Sequence, residues 1–404
     1  MVFAKRLGIP LKTIRTNPGG QLDPSEILGR DELIQRIWNV LEGRCVYMND
    51  LRRIGKTQIM VKMKAEPAPG WVCVKRDLGR FHSAEEFARS AFEDSAEVLT
   101  GGKTVMRKMA DLLGQAGGLE ISGVIKLPDG SPAPWKEVLQ RTFQDISESV
   151  AKTNQRMLFL WDEVPFLIDN IAKRQGEQVA MEVLDAIRSF TQDFDKIRVL
   201  LTGSIGLHHV LKSLQQKGYM GSPLNRMELV RPGPLDPNDA IGLASYLLQG
   251  ESIRTDDHQA CTQFIASSVG NVPFYIHKLI SRLPKSETYS VQRLGQILDS
   301  ELADLNNDWD LEHYRVRLGE YYREDEPLAL AILDAVAVQS KMNFDRVRSA
   351  VANQMTVGEE KLRTVLKLLC KDHYLEHSHD GLYQYYIAVI ARWWRISRDL
   401  KELE

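Results

Sequence analysis

Short apolar runs separated by amphipathic stretches set the layout of the first 235 residues. Cys45–Met48, Trp71–Lys75, Met157–Trp161 and Arg198–Thr202 are compact strand-like runs, and Met227–Val230 is a weaker fifth. Runs this short and this apolar suit strands covered on both faces. Helical patterns lie between them. Leu33, Ile34, Ile37, Trp38 and Leu41 recur at three-four spacing, with Gly43 as the closing residue. Ser83-Ala-Glu-Glu is a capping box that predicts a helix to about Leu99. Further helices are expected from Trp135 to about Lys152 and around Val179 to Asp193. Strands alternating with helices predict a parallel sheet with crossover connections. Residues 117–127 alternate and break at Pro128-Asp-Gly-Ser-Pro132, which predicts a small hairpin or irregular insertion.

From Asp236 onward the strand pattern stops. Helical periodicity runs to about Arg282 and again from Ser290 to Asn307. After Pro327 come three helices, Leu328–Val338, Phe344–Ala352 and Glu359–Cys370. Tyr374-Leu-Glu376, the turn Asp380-Gly381 and Leu382–Ile387 then describe two short strands, so this portion reads as a winged helix-turn-helix. The expected division is an N-terminal arm (1–24), an α/β domain (25–235), a helical domain (236–325) and a winged helix (326–404).

Composition narrows the class. The chain has 404 residues, 43% apolar and 26% charged, which are the proportions of ordinary globular proteins of two or three domains. A net charge of −2 excludes a globally basic nucleic-acid coat and an acidic disordered chain, while leaving room for a local basic patch. No apolar run reaches the roughly 20 residues that span a bilayer, and the first residues carry no signal-peptide pattern. Cys45, Cys73, Cys261 and Cys370 are scattered, as expected of free thiols in a reducing compartment. A cytoplasmic protein without a membrane partner is the expectation.

Candidate chemistry centres on Gly55-Lys56-Thr57, which follows the run Cys45–Met48 and opens a helix. That order is the P-loop arrangement, in which backbone N–H groups wrap phosphates, the lysine reaches the β- and γ-phosphates and the threonine hydroxyl ligates Mg²⁺. The pattern wants glycine at position 50, where this chain has Asp50, a carboxylate at the mouth of the loop. Asp162-Glu163 ends the most hydrophobic run, so Asp162 is a candidate for the metal shell and Glu163 for polarising water; helix capping is the alternative. Thr202-Gly-Ser204 ends the next run, where a polar residue can sense the γ-phosphate or a turn simply needs Gly203. Arg226 is a candidate arginine finger or a solvated surface residue. Cys370, His373, His377 and His379 have spacing a zinc ion can use, but their place at a helix end and wing suits ordinary surface residues.

The ordered set Leu28-Gly-Arg-Asp-Glu-Leu33, Arg52-Arg-Ile-Gly-Lys-Thr57, Leu158–Glu163, Leu201–Ser204, Ser222-Pro-Leu224 with Arg226, and Gly270-Asn-Val-Pro273 resembles the archaeal-type ATPase family. That family is a STAND branch of AAA+-like P-loop proteins. The resemblance covers residues 24 to 400 and implies a P-loop ATPase domain, a helical lid and a C-terminal winged helix. It implies ATP and Mg²⁺ as ligands, with Gly29 and Arg30 near the adenine and Pro273 closing the lid over the base. The expected nucleotide contacts are therefore Gly29, Arg30, Arg53, Ile54, Gly55, Lys56, Thr57, Gln58, Ser204 and Pro273. Thr57 and Asp162 are the expected metal ligands, and Lys56, Glu163 and Arg226 the catalytic set. Signal-responsive assembly through the winged helix, with itself or another protein, is the functional expectation. A DNA-binding loader or helper, or a scaffold that holds nucleotide without turnover, is the alternative. The third helix of the winged module carries Lys361, Arg363 and Lys367 but begins with Glu359-Glu360, and acidic residues at that end oppose the phosphate field of DNA.

Overall fold

The apolar runs become five parallel strands: β1 (Cys45–Asn49), β2 (Trp71–Asp77), β3 (Arg156–Asp162), β4 (Ile197–Gly203) and β5 (Met227–Val230). Their order across the sheet is β2-β3-β4-β1-β5. The structure is a computed structural model that describes residues 14–98, 135–203, 206–306 and 308–401. The expected hairpin or insertion at residues 117–132 lies outside the described residues. Contacts divide the chain into two compact units. A sheet unit comprises Asp31–Asn49 and Lys56–Pro232; a helical unit comprises the residues up to Arg30, Asp50–Gly55 and the chain from Gly233.

In the sheet unit, α1 (Asp31–Leu41) leads into β1, and α2 (Lys56–Ala65), α3 (Ala84–Val98), α4 (Trp135–Lys152), α5 (Val164–Gln175), α6 (Glu177–Asp193) and α7 (Leu207–Gln216) lie between successive strands. Strand β3 explains why the sheet is covered twice. Its side chains alternate between faces, and both sets are apolar: Leu158 and Leu160 pack with Ile37, Trp38, Ile59 and Met63 of α1 and α2. Met157, Phe159 and Trp161 pack on the other side with Phe87, Phe143 and Ile187 of α3, α4 and α6. Phe143 stacks on Phe190 at 4.3 Å. The capping box at Ser83 forms with a shifted partner: Ser83 Oγ accepts from Glu86 N–H, while the Glu86 carboxylate accepts from His82 N–H. The periodicity indicated one helix between β3 and β4. The structure has two, α5 and α6, divided at Gly176, whose φ of 95° the chain reaches without a Cβ penalty.

The helical unit begins with α8 (Pro237–Gly250), capped by Asp236, whose side chain accepts from Asn238 N–H. It continues through α9 (His258–Ser268), α10 (Pro273–Ser281), α11 (Val291–Ala303) and α12 (Glu312–Tyr322), with a two-stranded pair, β6 (Arg254–Thr255) and β7 (Thr288–Tyr289). Then α13 (Glu326–Gln339), β8 (Met342–Asn343), α14 (Phe344–Ala352), α15 (Glu359–Lys371), β9 (Leu375–His377) and β10 (Leu382–Tyr385) form a winged helix, closed by α16 (Ala388–Ser397). Its antiparallel sheet has the order β8-β10-β9. Strand β8 went unseen in the sequence because it is two residues long and its Asn343 also caps α14. No described helix is long and apolar enough to cross a membrane.

The described part of the N-terminal arm is packed. Ile14 joins the core of the helical unit, Thr16 donates twice to Glu251, and Asn17 N–H donates to His277 Nδ1 at 3.2 Å. That bond requires an unprotonated Nδ1, and burial lowers His277 to about 4. The unfolded chain takes up this proton near pH 6.5 and the folded chain only near 4. The stabilising difference is therefore complete above 6.5 and is lost as the pH falls through that window. In urea unfolding, the advantage of the wild type over His277→Gln is expected to shrink by up to about 3 kcal/mol between pH 6.5 and 4.

Candidate functional site

At the C-terminal edge of the sheet, three elements converge on one carboxylate. Thr57, in the first turn of α2, donates its hydroxyl to Asp162 Oδ2 at 2.6 Å. Thr202, at the end of β4 and fully buried, lies with its hydroxyl 3.2 Å from Asp162 Oδ1, and Glu163 N–H donates to the same oxygen. The parallel register places Asp77 of β2 opposite Asp162, so Asp77, Asp162 and Glu163 put three carboxylates on one sheet edge. The threonine hydroxyl and aspartate carboxylate form an all-oxygen donor pair, which fits a hard cation such as Mg²⁺.

Glu163 sits in the left-handed region at φ 58°, ψ 36°, a conformation that costs a non-glycine residue about 1–2 kcal/mol. A Cβ at Gly79 would come within 3.1 Å of the Glu163 Cβ, so a side chain there would press on Glu163. Asn170 of α5 holds that loop by donating to the carbonyls of Gly79 and Phe81 at 3.0 and 3.1 Å. Asn170 was not singled out from the sequence, where nothing distinguishes it from a surface asparagine. Strain of this kind gathers at functional positions.

Asp50–Gly55, between β1 and α2, belongs to the helical unit. Leu51 and Ile54 are buried in that unit's core. The Asp50 carboxylate, 3% exposed, accepts Leu51 N–H at 2.7 Å and Gly233 N–H at 2.8 Å, with the Tyr386 hydroxyl at 3.4 Å. The carboxylate that breaks the glycine pattern is thus engaged by donors of the helical unit. Arg30 donates to the carbonyls of Ile54 and Gly233, both at 2.9 Å. Burial lowers its guanidinium to about 10, with Asp50 acting in the opposite direction. Gly29 has φ 67°, and a Cβ there would meet the Asp239 Cβ at 2.8 Å, so close packing suffices to explain this glycine. Arg53 has φ 69° and Gly55 φ 102°. Arg53 pairs with Asp310 at 2.9 Å and lies over the Phe274 ring, next to Pro273 at the start of α10.

Lys56 opens α2 and is buried, and Gln58 is half-buried in the same turn. Ser204 lies outside the described residues. Arg226 is not brought to this edge. It is exposed and precedes β5, which pairs Met227 with Cys45 at the N-terminal edge of the sheet. There it lines a cavity of about 430 Å³ with Arg44, Asp195 and Arg198. Arg198 donates to the carbonyls of Leu41 and Ile197, so its charge serves a helix end.

Comparison with solved structures gives the same architecture in a Walker-type ATPase of Pyrococcus abyssi. The TM-score is 0.63 and the identity 17%, over 92% of this chain and 97% of that one. The chain has the fold of a Walker-type ATPase. The ORC2 protein of Aeropyrum pernix, in its ADPNP–ADP complexes, overlaps at TM-score 0.45 and 11% identity, over 92% of each chain. The ORC1 protein of Aeropyrum pernix in complex with DNA overlaps at TM-score 0.35 and 11% identity, over 92% of this chain and 93% of that one. No protein-family model matches the chain, and no curated protein matches it.

Within this Walker-type fold, Lys361 and Arg363 of α15 are engaged, and Lys367 of the same helix is exposed. Lys361 pairs with Asp325, and Arg363 pairs with Glu359 at 2.6 Å while lying over the Phe344 ring. His377 stacks on Tyr383, and burial raises the Cys370 thiol to about 11.

Because Asp50 satisfies buried N–H groups, replacing it by the glycine of the P-loop pattern is expected to damage the protein rather than repair it. Asp50→Gly and Asp50→Ala should each lower unfolding free energy by about 1–3 kcal/mol in urea titrations, and Asp50→Asn by less.

Proposed function

We propose that this protein is an ATP-binding, Mg²⁺-dependent P-loop ATPase of the STAND type, acting as a nucleotide-controlled switch. The convergence of Thr57 and Thr202 on Asp162 carries this reading, because it assembles a cation site beside a lysine that opens a helix. Lys56 holds the β- and γ-phosphates, the backbone of Arg53, Ile54 and Gly55 wraps them, and Gln58 lies in the same turn. Thr57 and Asp162 hold the cation, which neutralises phosphate charge when bound. Three carboxylates at one edge repel a polyphosphate, so Lys56 and the cation are both needed there. Glu163 orients water for attack on the γ-phosphorus, and the bond to the β–γ bridging oxygen breaks. Ser204 senses the γ-phosphate. Gly29, Arg30 and Pro273 border the adenine.

The proposed division is an ATPase domain over residues 25–235, a lid over 236–325 and a winged helix over 326–404, in a cytoplasmic protein. Arg226 acts in trans, on the nucleotide of a neighbouring copy. Exposed Arg226 at one edge of the sheet and Asp77, Asp162 and Glu163 at the other favour head-to-tail assembly. The pairing of Lys361 with Asp325 and of Arg363 with Glu359 supports a protein contact for the winged helix over DNA.

Lys56→Ala is expected to abolish ATP binding in calorimetry; unchanged affinity would remove the loop from the site. Glu163→Gln should retain binding while phosphate release falls by roughly 100-fold or more. Sizing with ADP and with a non-hydrolysable ATP analogue should give a larger species for the analogue only, unchanged by duplex DNA. DNA-dependent retention that weakens steeply with salt would favour the loader reading instead.

A further inference from the structure

The loop arginines have an internal partner that the ATPase reading does not use. Arg52 Nε and Arg53 Nε reach the same oxygen, Oδ2 of Asp310, at 3.1 and 2.9 Å. Asp310 lies in the link between α11 and α12. Two guanidinium groups on one carboxylate oxygen leave a positive charge unmatched. The surroundings increase that excess. His313, one turn on, feels Arg317, Arg52 and Arg53, with Asp310 as the opposing charge. Burial and these arginines hold its imidazole neutral, at about 4. Arg317 is 6% exposed, and its Nε is buried without a hydrogen-bond partner. Arg53 and Asp310 are both left-handed, at φ 69° and 62°, so the ion pair joins two strained backbone positions.

We propose that Asp310 is an autoinhibitory stand-in for phosphate, holding Arg52 and Arg53 of the loop until a nucleoside triphosphate displaces it. This rests on the P-loop reading of Lys56 and Thr57. A terminal phosphate carries more charge than a carboxylate and offers guanidinium groups a forked acceptor, so it competes for the same donors. Competition of this kind lowers apparent affinity by the population in which the arginines are held. It weighs most on the ligand with most phosphate. Displacement also has a route onward. Asp310 leads into α12, where Tyr314 O accepts from the Tyr374 hydroxyl at 2.8 Å and the Tyr322 hydroxyl donates to Asp372 at 2.8 Å. Tyr374 and Asp372 join α15 to the wing, so the latch and the winged helix share one bonded helix.

The test is nucleotide affinity by calorimetry with ATP, ADP and AMP. Asp310→Asn removes the charge while keeping a residue that tolerates the left-handed region. It is expected to bind ATP about tenfold more tightly, ADP less so, and AMP as the wild type does. Asp299→Asn, which breaks the ion pair with Arg392 elsewhere in the helical unit, should change none of the three. Arg52→Gln leaves the carboxylate to Arg53 alone and should weaken ATP several-fold with AMP unaffected, which keeps the test decisive if Asp310→Asn does not fold. Equal or weaker ATP binding by folded Asp310→Asn overturns the proposal, as does unchanged or tighter ATP binding by Arg52→Gln. A wild type that binds no nucleotide overturns the P-loop reading instead.

Discussion

A buried carboxylate must find donors, and the donors that Asp50 finds decide where the loop after β1 belongs. Gly233 and Leu51 N–H groups and the Tyr386 hydroxyl lie in the helical unit, and so do the cores that take Leu51 and Ile54. The carbonyls of Ile54 and Gly233 are bridged by a single arginine, Arg30. Loop geometry is thus set by the C-terminal part of the chain, although the flanking strand and helix belong to the sheet. A glycine at position 50 would remove this anchor and leave the loop to apolar burial, to Arg30 and to the pairs with Asp310. The departure from the P-loop pattern is a change in what holds the loop, and its charge is directed toward backbone N–H groups.

The parts of the molecule that the sequence revealed are those with a long apolar signature. Four strands of the sheet, β1 to β4, are readable because each is a run packed on two faces, while β5, with Leu229 exposed, gives the weaker signal. Trp135–Lys152 is readable because a three-four stripe of Leu139, Phe143, Ile146 and Val150 persists for about three turns. The candidate site residues legible in the sequence are those whose type and spacing encode chemistry, Lys56, Thr57, Asp162 and Glu163, and of these Thr57 and Asp162 meet in the fold. Residues that act through position left no trace. Asp310 lies more than 250 positions from Arg53, and only the folded chain brings an aspartate in a linker to a loop arginine. Arg226 is the opposite case. Its neighbours in sequence point to a phosphate contact, and parallel pairing of β5 with β1 sets it at the start of a strand, so within one chain it does not join Asp162 and Glu163 at the strand ends.

That polarity has consequences for assembly. In a parallel sheet every strand end of one kind lies on one edge, so chemistry that gathers at the tips leaves the opposite edge free for another role. Here the tips bear Asp77, Asp162 and Glu163, and the starts bear Arg44, Arg198 and Arg226. Arg198 is committed to helix carbonyls and Arg44 to Glu228, at 2.8 Å, while Arg226 remains exposed. Under the proposed function, a neighbour's Arg226 supplies the positive charge that an edge with three carboxylates lacks. Assembly and turnover then depend on the same residue.

The winged helix fits this arrangement better as a load on the loop than as a reader of nucleic acid. On α15, Lys361 is already paired with Asp325 and Arg363 with Glu359, so a phosphate backbone would have to break those pairs to engage them, while Lys367 is exposed. Its tyrosines point inward. Tyr374 bonds across to α12, whose Tyr322 in turn donates to Asp372, and Tyr386 reaches Asp50. The loop is therefore held at Asp50 and at Arg52 and Arg53 by elements that are themselves bonded to one module. Under the proposed latch, a ligand that draws the arginines away pulls on a loop whose Asp50 anchor lies three residues from Arg53, and coupling of that kind is what a nucleotide-controlled switch requires.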